Sequence, residues 1–263
     1  MARVSWCDKL ASTPGVGITL DDLFAPSSAL LAALTPISSK WVEKEKPAFV
    51  IEGQDPFTVA LTTFDGFHYG LNQRQIYVEF RHRVKLEPQS AGPPIAVMVS
   101  KPMPFTRLLP EVQERLVEAA GLVVGGTERL LHRVGVVCST TVLEEEAPPG
   151  IVRFLDYIQQ PWGVTADAYA IDVTSKLPIK DKKKSGILDR CQHAVSKQEF
   201  GDGLVNIKLD WQRRFDPPLK LSVKLLGDIL DEAQEDALDY FEDVGQGDRF
   251  DAAILSAPAA RPA

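Results

Sequence analysis

Three residues with reactive or ligating side chains alternate along one short segment: Asp189, Cys191 and His193. In an extended strand every second side chain points to the same face, so these three would lie on one face, about 7 Å apart. A thiolate activated by an imidazole, or a partial metal site, needs such convergence. Ile187 and Val195 continue this face as apolar positions, which favours a buried cysteine beside a hydrogen-bonded histidine. The sequence therefore assigns no catalytic residue and no metal ligand here.

The other histidines, His68, His82 and His132, have no recognisable partner in the sequence. His82 shares the apolar side of its predicted strand with Phe80, which is typical of a core or edge histidine. The sequence also lacks a phosphate-binding glycine loop, a nucleophile elbow and a zinc-protease motif. Nucleotide-driven phosphoryl transfer and zinc proteolysis of the familiar types are therefore disfavoured. No cofactor is predicted, and the question whether the chain is an enzyme stays open.

A cationic sheet face is the first candidate binding surface. Tyr77, Arg81, Arg83 and Lys85 fall on the polar side of one predicted strand, with Arg74 just upstream. Several single-strand-binding proteins use cations and an aromatic ring on a sheet face to hold phosphate and stack bases. The structural alternative is an ordinary solvated face whose cations pair with Glu79 and with acids on neighbouring strands.

An acidic helix near the C-terminus is the second candidate surface. Between positions 228 and 243 it carries eight acidic residues and no lysine or arginine: Asp228, Asp231, Glu232, Glu235, Asp236, Asp239, Glu242 and Asp243. Like charges three or four residues apart destabilise a helix, so tertiary packing or a basic partner must offset them. The alternatives are a partner-binding helix and a solvated acidic face above an apolar stripe. A carboxylate metal site would need ligands that converge in a pocket.

Hydrophobic periodicity predicts the elements that position these residues. Period-two patterns and segments rich in strand-forming residues indicate strands at 57–64, 76–85, 95–99, 130–143, 165–173, 187–195 and 204–211, and a short run at 219–223. A capping residue followed by acids indicates a helix at 21–34, and period-3.6 patterns indicate helices at 110–120, 151–158 and 228–243. The sequence Pro14-Gly15-Val16-Gly17 predicts an interruption of regular structure.

The order of these elements predicts an α+β fold, with a mainly antiparallel sheet and flanking helices. Helices and strands recur in the same order, so we expect two similar α-β-β-β-α halves and, as a hypothesis, an internal duplication. The halves would be 1–124 and 125–247. Residues 248–263, rich in alanine and proline, are expected to form a flexible tail.

The composition of the 263-residue chain is that of a folded globular protein, with 44% hydrophobic and 25% charged residues. Its apolar runs are far shorter than the roughly 20 residues of a membrane-spanning helix, so no membrane association is expected. Three widely spaced cysteines and an N-terminus without a secretory pattern predict a cytoplasmic protein without disulfides. The net charge of −7 disfavours nucleic acid as a partner on average, although a local basic face can override it.

The order of features resembles that of a sporadically distributed family of uncharacterised bacterial proteins of similar length. The resemblance lies in Asn72-Gln73-Arg74-Gln75-Ile76-Tyr77, in the strand and helix across 130–158, in Gly203-Leu204-Val205-Asn206-Ile207-Lys208-Leu209-Asp210 and in the helix at 228–243. It implies no activity. The patchy occurrence of the family is like that of accessory genes such as defence or toxin-linked cassettes, which is association rather than mechanism.

The sequence thus predicts a non-enzymatic binding or assembly component that engages another macromolecule through the acidic helix or the cationic face. The expected partner is a protein or a second copy of the chain, with nucleic acid as a further alternative. The alternative function is a hydrolytic or nucleolytic enzyme whose pocket the sequence does not reveal.

Overall fold

The computed structural model describes residues 6–9, 13–20, 35–36, 39, 58–63, 65–89, 92–93, 95–98, 100, 103–124, 128–163, 167–176, 187–197 and 203–246. The strands are β1 (Gly15–Leu20), β2 (Thr58–Thr62), β3 (Phe67–Asn72), β4 (Gln75–Phe80), β5 (Val84–Glu87), β6 (Ile95–Met98), β7 (Leu130–Leu143), β8 (Tyr169–Lys176), β9 (Ile187–Lys197) and β10 (Leu204–Lys220). The helices are α1 (Trp6–Lys9), α2 (Phe105–Val124), α3 (Pro149–Gln159) and α4 (Val223–Gln246). The predicted helix at 21–34 and the tail at 248–263 lie outside the described residues.

Eight strands form one sheet in the order β2-β3-β4-β1-β7-β10-β9-β8. Every pair of neighbouring strands in it is antiparallel. Strands β5 and β6 form a separate antiparallel pair. The predicted fold class, α+β with a mainly antiparallel sheet and flanking helices, is therefore confirmed.

The two halves of the sheet have the same strand order about the β1–β7 junction. On each side of that junction a first strand, β1 or β7, pairs with the last strand of a three-stranded meander, β2-β3-β4 or β8-β9-β10. A long helix follows each meander in the chain, α2 after the first and α4 after the second. The sheet continues across the junction through hydrogen bonds between β1 and β7. Duplication and the domain boundary near residue 124 stay predictions.

The predicted interruption at residues 14–17 is wrong, because residues 15–20 form β1 near the centre of the sheet. Val16, Ile18 and Leu20 are each no more than 2% exposed. Their burial, together with hydrogen-bonded neighbours on both sides, offsets the conformational cost of Gly15 and Gly17 in a strand.

The single strand predicted at 76–85 is instead divided. β4 ends at Phe80, and β5 begins at Val84 outside the main sheet. Phe80 pairs with Phe67, the first residue of β3, and Gly66 at φ 106° turns the chain away before it. Beyond Phe80, β3 therefore offers no partner, although the alternation of residue types continues.

β10 likewise differs from its prediction, because residues 204–211 and the run at 219–223 were expected as separate segments. The structure has one strand to Lys220, with a register shift against β7 between Arg214 and Leu219. Pro217 and Pro218 fall within that shift, where β10 and β7 are not paired. A proline lacks the N–H that a ladder needs, so this is the place where a strand tolerates it.

Helices α2 and α4 contact each other and pack against one face of the sheet. α4 extends five residues before and three residues after its predicted bounds of 228–243. Its apolar stripe is buried, and the fully buried Trp211 of β10 donates its Nε1–H to Asp236 of α4 at 3.0 Å. That hydrogen bond satisfies the indole of the largest fully buried side chain in the described core.

Gly245 of α4 should tolerate no side chain, whereas Gly227 of the same helix should. A Cβ at Gly245 would lie 1.9 Å from Cγ and 2.2 Å from Cβ of Trp6, so α1 would have to move. Nothing lies within 4 Å of a Cβ at Gly227. We expect Gly227→Ala to raise the free energy of unfolding by up to about 1 kcal/mol. We expect Gly245→Ala to lower it and to speed amide exchange at Trp6; equal effects of the two variants would contradict the packing of α1 on α4.

Candidate functional site

The face of the sheet that points away from the helices is polar. Along β1, Val16 and Ile18 point into the core with the helices, while Gly15, Gly17 and Thr19 lie on the other side. The four described helices contact one another or the buried side of the sheet. Among the described residues, no helix packs on the polar side, which we call the open face.

Cross-strand register arranges the middle of the open face in three rows. In the strand order β4, β1, β7 and β10, the first row is Gln75, Thr19, Arg133 and Arg214. The second row is Tyr77, Gly17, Gly135 and Gln212. The third row is Glu79, Gly15, Val137 and Asp210. Neighbouring rows are two residues apart along each strand, which is about 7 Å. The first and third rows are therefore about 14 Å apart.

All the residues of these rows except Arg214 line a depression with a volume of about 330 Å³, whose floor contains Gly15, Gly17 and Gly135. We call it the glycine trough. Its walls rise from β4 and β10, which lie three strand spacings or about 14 Å apart. A second depression of about 350 Å³ adjoins it and shares Gly15, Glu79 and Val137.

The glycines of the trough differ in what they do for the fold. A Cβ at Gly17 would lie 3.0 Å from Cβ of Tyr77, so Gly17 allows β4 and its tyrosine to lie close. A Cβ at Gly135 would meet nothing nearer than the carbonyl oxygen of Trp211, at 3.9 Å. Packing within the described chain therefore does not require glycine at position 135. A glycine inside a strand without a packing reason is typical of a place where another molecule approaches the backbone.

Tyr77 forms part of the trough wall on β4, and its ring lies over Gly70 of β3. A Cβ on Gly70 would come within 2.0 Å of Cζ of that ring. The ring of His68 lies 6.0 Å from it, and His68 is itself held through a 2.9 Å hydrogen bond between its Nδ1 and Oγ1 of Thr62. The absence of a side chain at Gly70 thus allows the ring of Tyr77 to lie flat against the sheet, at the edge of the trough.

Charge is separated along the trough. Arg133 lines one end, where its Nε donates to Oγ1 of Thr19 at 3.3 Å, and its direct cross-strand partner Arg214 lies just outside the lining. Like charges directly opposite each other destabilise a sheet, and no ion pair joins either arginine to a described acid. At the other end Asp210 accepts a 2.9 Å hydrogen bond from Gln212 Nε2. The trough therefore has a cationic and an acidic end.

The five residues predicted as a cationic face are not brought together. Of the five, Tyr77 lines the trough and Arg81 lines the adjoining depression, whereas Arg74 lies in the turn between β3 and β4. Arg81 follows β4 and its Nε donates to Glu79 at 2.6 Å, while Arg83 donates to the carbonyl oxygen of Thr63 at 3.4 Å. Lys85 lies on β5 and pairs with Glu87 at 3.5 Å.

The eight acids of α4 divide into two groups. Four have partners within the fold: Glu232 pairs with Arg213 at 2.8 Å, Asp236 accepts from Trp211, Glu242 accepts from the backbone N–H of Trp6 at 3.0 Å, and Asp243 also has a partner. Asp228, Asp231, Glu235 and Asp239 are exposed, and Asp243 is half-buried. The exposed four lie opposite the buried stripe, so they face away from the sheet and from Tyr77. The exposed acids of α4 and Tyr77 are therefore on opposite sides of the sheet.

Glu242 should make the docking of α1 depend on pH. Burial alone would raise its pKa, but hydrogen bonds from Gln246 and from the N–H groups of Cys7 and Trp6 outweigh burial and lower the pKa. The contribution of Glu242 to stability is therefore present above its unfolded-state pKa and lost as pH falls through the lower folded-state value. We expect Glu242→Gln to speed amide exchange at Trp6 and Cys7 at neutral pH and to differ little from the wild type in acid. A difference that persists in acid would contradict this role.

The alternating Asp189, Cys191 and His193 do share one face, as predicted, and it is the face toward the helices. Both carboxylate oxygens of Asp189 accept from Arg213, at 2.8 and 2.6 Å. The ring of His193 lies 4.8 Å from that of Tyr240 on α4. Cys191 is buried in the core. The three side chains are thus parts of the packing between β9, β10 and α4.

Among the described residues, no three histidine, cysteine, aspartate or glutamate side chains are grouped so that they could hold a metal ion. None of the described helices combines the length and the apolar character needed to cross a membrane.

Sequence reasoning missed the residues that line the trough, above all Gly135, Arg133, Asp210 and Gln212. A local signal existed for Gly135, because it interrupts the valine-rich strand 130–143, and an isolated glycine in a strand indicates a bulge or a close backbone approach. Arg133 and Asp210 line the same trough only because β7 pairs with β10, and that pairing is not a local property of the sequence.

Comparison with known proteins returned no match: no family model, no curated protein and no solved structure is significantly similar to this chain. Its function is therefore inferred from the site itself.

Proposed function

We propose that this protein is a non-enzymatic binding component that holds another macromolecule on the open face of its sheet. The observation that carries the proposal is the glycine trough, a depression of about 330 Å³ in the middle of an eight-stranded sheet. Backbone is accessible on its floor, and its walls carry hydrogen-bonding and charged groups. Depressions of about 300 Å³ and more with a few convergent polar groups are the usual form of binding sites.

The β5–β6 hairpin supports a macromolecular partner. In register, Val84 lies opposite Met98 and Leu86 opposite Ala96, so one side of the hairpin is wholly apolar. Leu86 is 65% exposed and Val84 57% exposed. A two-stranded hairpin is only marginally stable alone in water, and clustered exposed apolar side chains mark contacts with other molecules. A partner that covers the hairpin would stabilise it.

Of the two surfaces predicted from the sequence, the geometry favours the side that contains Tyr77 over the acidic helix. Glu232, Asp236, Glu242 and Asp243 of α4 are occupied by contacts within the fold. The remaining exposed acids are spread along a solvated helix surface, which needs no partner because the buried stripe of α4 holds the helix in place.

Capture from a native extract, followed by mass measurement, tests the proposal with one variant on each surface. Gly135→Val fills the trough on the open face, and the double variant Asp231→Asn/Glu235→Gln removes two charges from α4. We expect the wild type and the α4 variant to retain the same stoichiometric partner and Gly135→Val to lose it. Loss of the partner only in the α4 variant would assign binding to the helix. A wild-type monomer with nothing bound would contradict a binding role.

A further inference from the structure

We propose that the glycine trough receives an extended peptide segment of the partner, with an acidic side chain at the Arg133 end and a basic side chain at the Asp210 end. This inference rests on the proposed function and specifies the chemistry of the bound molecule. Three properties of the trough support it: its charge separation, its dimensions and its glycine floor.

Charge complementarity defines the two ends of the ligand. Arg133 and Arg214 face each other across β7 and β10, and a carboxylate between them would relieve the repulsion of two neighbouring cations. Asp210 at the other end has a neutral hydrogen-bond partner, Gln212, and no ion pair with a described cation. Its carboxylate can therefore accept an ammonium or guanidinium group.

The dimensions favour a short extended segment. The charged rows are about 14 Å apart, which four residues span in an extended chain at about 3.4 Å per residue. A helix would need about nine residues for the same distance. A volume of 330 Å³ is at the small end of ligand sites, which suits a few residues better than a whole helix.

The floor and the overall charge favour a peptide over a nucleic acid strand. Gly15, Gly17 and Gly135 present backbone without side chains, so a second backbone can lie close to the sheet. A nucleic acid strand needs cations along its whole path. Here Asp210 lies at one end of the trough without an ion pair to a described cation, Glu79 beside it is paired with Arg81, and the chain carries a net charge of −7.

Calorimetric titration of the full chain with short peptides tests the inference. The probe is acetyl-Lys-Thr-Val-Thr-Glu-amide, which places opposite charges four residues apart on a strand-forming sequence. The matched controls are the same peptide with glutamine at both ends and the same peptide with lysine at both ends. We expect the probe to bind at least about tenfold more tightly than either control, since each end would add a charge-assisted hydrogen bond.

Protein variants separate the trough from general electrostatic attraction. Arg133→Gln/Arg214→Gln should weaken binding of the probe by about tenfold or more. Gly135→Val should abolish binding, and Lys224→Gln, which removes an exposed cation from α4 on the helix side, should leave it unchanged. Equal binding of the neutral peptide, no binding of the probe, or tighter binding of an oligothymidylate would overturn the inference. If any one of these results occurred while Gly135→Val still lost the captured partner, the proposed binding function would be supported. Only the proposed peptide chemistry of the ligand would then be wrong.

Discussion

Replacing Arg213 by methionine is expected to lower the free energy of unfolding by about 3–5 kcal/mol, because it leaves a buried carboxylate without its counter-ion. The side chain of Asp189 is only 5% exposed, and its two oxygens accept from the guanidinium of Arg213. The same guanidinium reaches Glu232, so it joins β9, β10 and α4. Burial disfavours its charge, but the hydrogen bonds to the two carboxylates outweigh burial and raise the pKa of Arg213. Denaturant unfolding monitored by circular dichroism measures the loss.

The double variant Asp189→Leu/Arg213→Met is the matched control. Replacing both members of a buried ion pair with apolar side chains of similar volume is often neutral or stabilising. We therefore expect the double variant to recover most of the stability lost in Arg213→Met. If both variants lost the same free energy of unfolding, a change in packing volume rather than an unpaired charge would explain the loss. The ion pair would then make no specific contribution to stability.

Replacing Gly135 by valine is expected to leave the fold intact and to remove binding on the open face. A Cβ at this position is 3.9 Å from its nearest neighbour, so the first carbon fits at ordinary van der Waals distance. Valine also suits a strand better than glycine does, which should raise the free energy of unfolding by up to about 1 kcal/mol. The added methyl groups would occupy the trough floor beside Gly17, where the ligand is proposed to lie.

The loss of binding should depend on the size of the added side chain. A fall in partner affinity of at least about a hundredfold for Gly135→Val corresponds to about 3 kcal/mol, and Gly135→Ala should fall between valine and the wild type. Affinities measured by surface plasmon resonance, beside unfolding curves of the same samples, separate a blocked site from a damaged fold. Unchanged affinity in a folded Gly135→Val protein would place the partner elsewhere on the molecule.

Local patterns were sufficient for most of the regular elements. The strand predicted at 130–143 has the bounds of β7, because a long segment rich in valine and threonine keeps the propensity of a strand despite the single glycine at position 135. The acidic helix was predicted from its apolar stripe, and Ile229, Leu230 and Phe241 of that stripe are buried in the structure. The residue types that predict these elements all lie within the element itself.

Elements whose structure depends on distant partners were predicted less well. β1 reads as a loop because of Gly15 and Gly17, yet its pairing with β4 and β7 makes it a central strand. Tertiary pairing overrides the weak local propensity of its glycines. The prediction of one strand at 76–85 was wrong for the converse reason. The alternating pattern continues past Phe80, but the partner strand β3 has no residue beyond Phe67 to pair with it.

The candidate site depended almost wholly on such pairings. Tyr77 was identified from its own strand, but its neighbours in the trough come from β1, β7 and β10, which are brought side by side only by the sheet order. Arg83 and Lys85 do not lie beside Tyr77 because they follow the end of β4, and Arg81 is paired with Glu79. A pattern within one strand shows which side chains share a face, but not which strands lie beside it.

The most direct test of the open face as the binding site is an amide NMR spectrum of the isotopically labelled chain with and without its captured partner. We predict that the signals of Gly15, Gly17 and Gly135 shift or broaden on binding, together with the side-chain amide of Gln212. The amides of Asp231 and Glu235 on the outer side of α4 should stay in place. Changes confined to α4, with the glycine signals of β1 and β7 unmoved, would contradict the account.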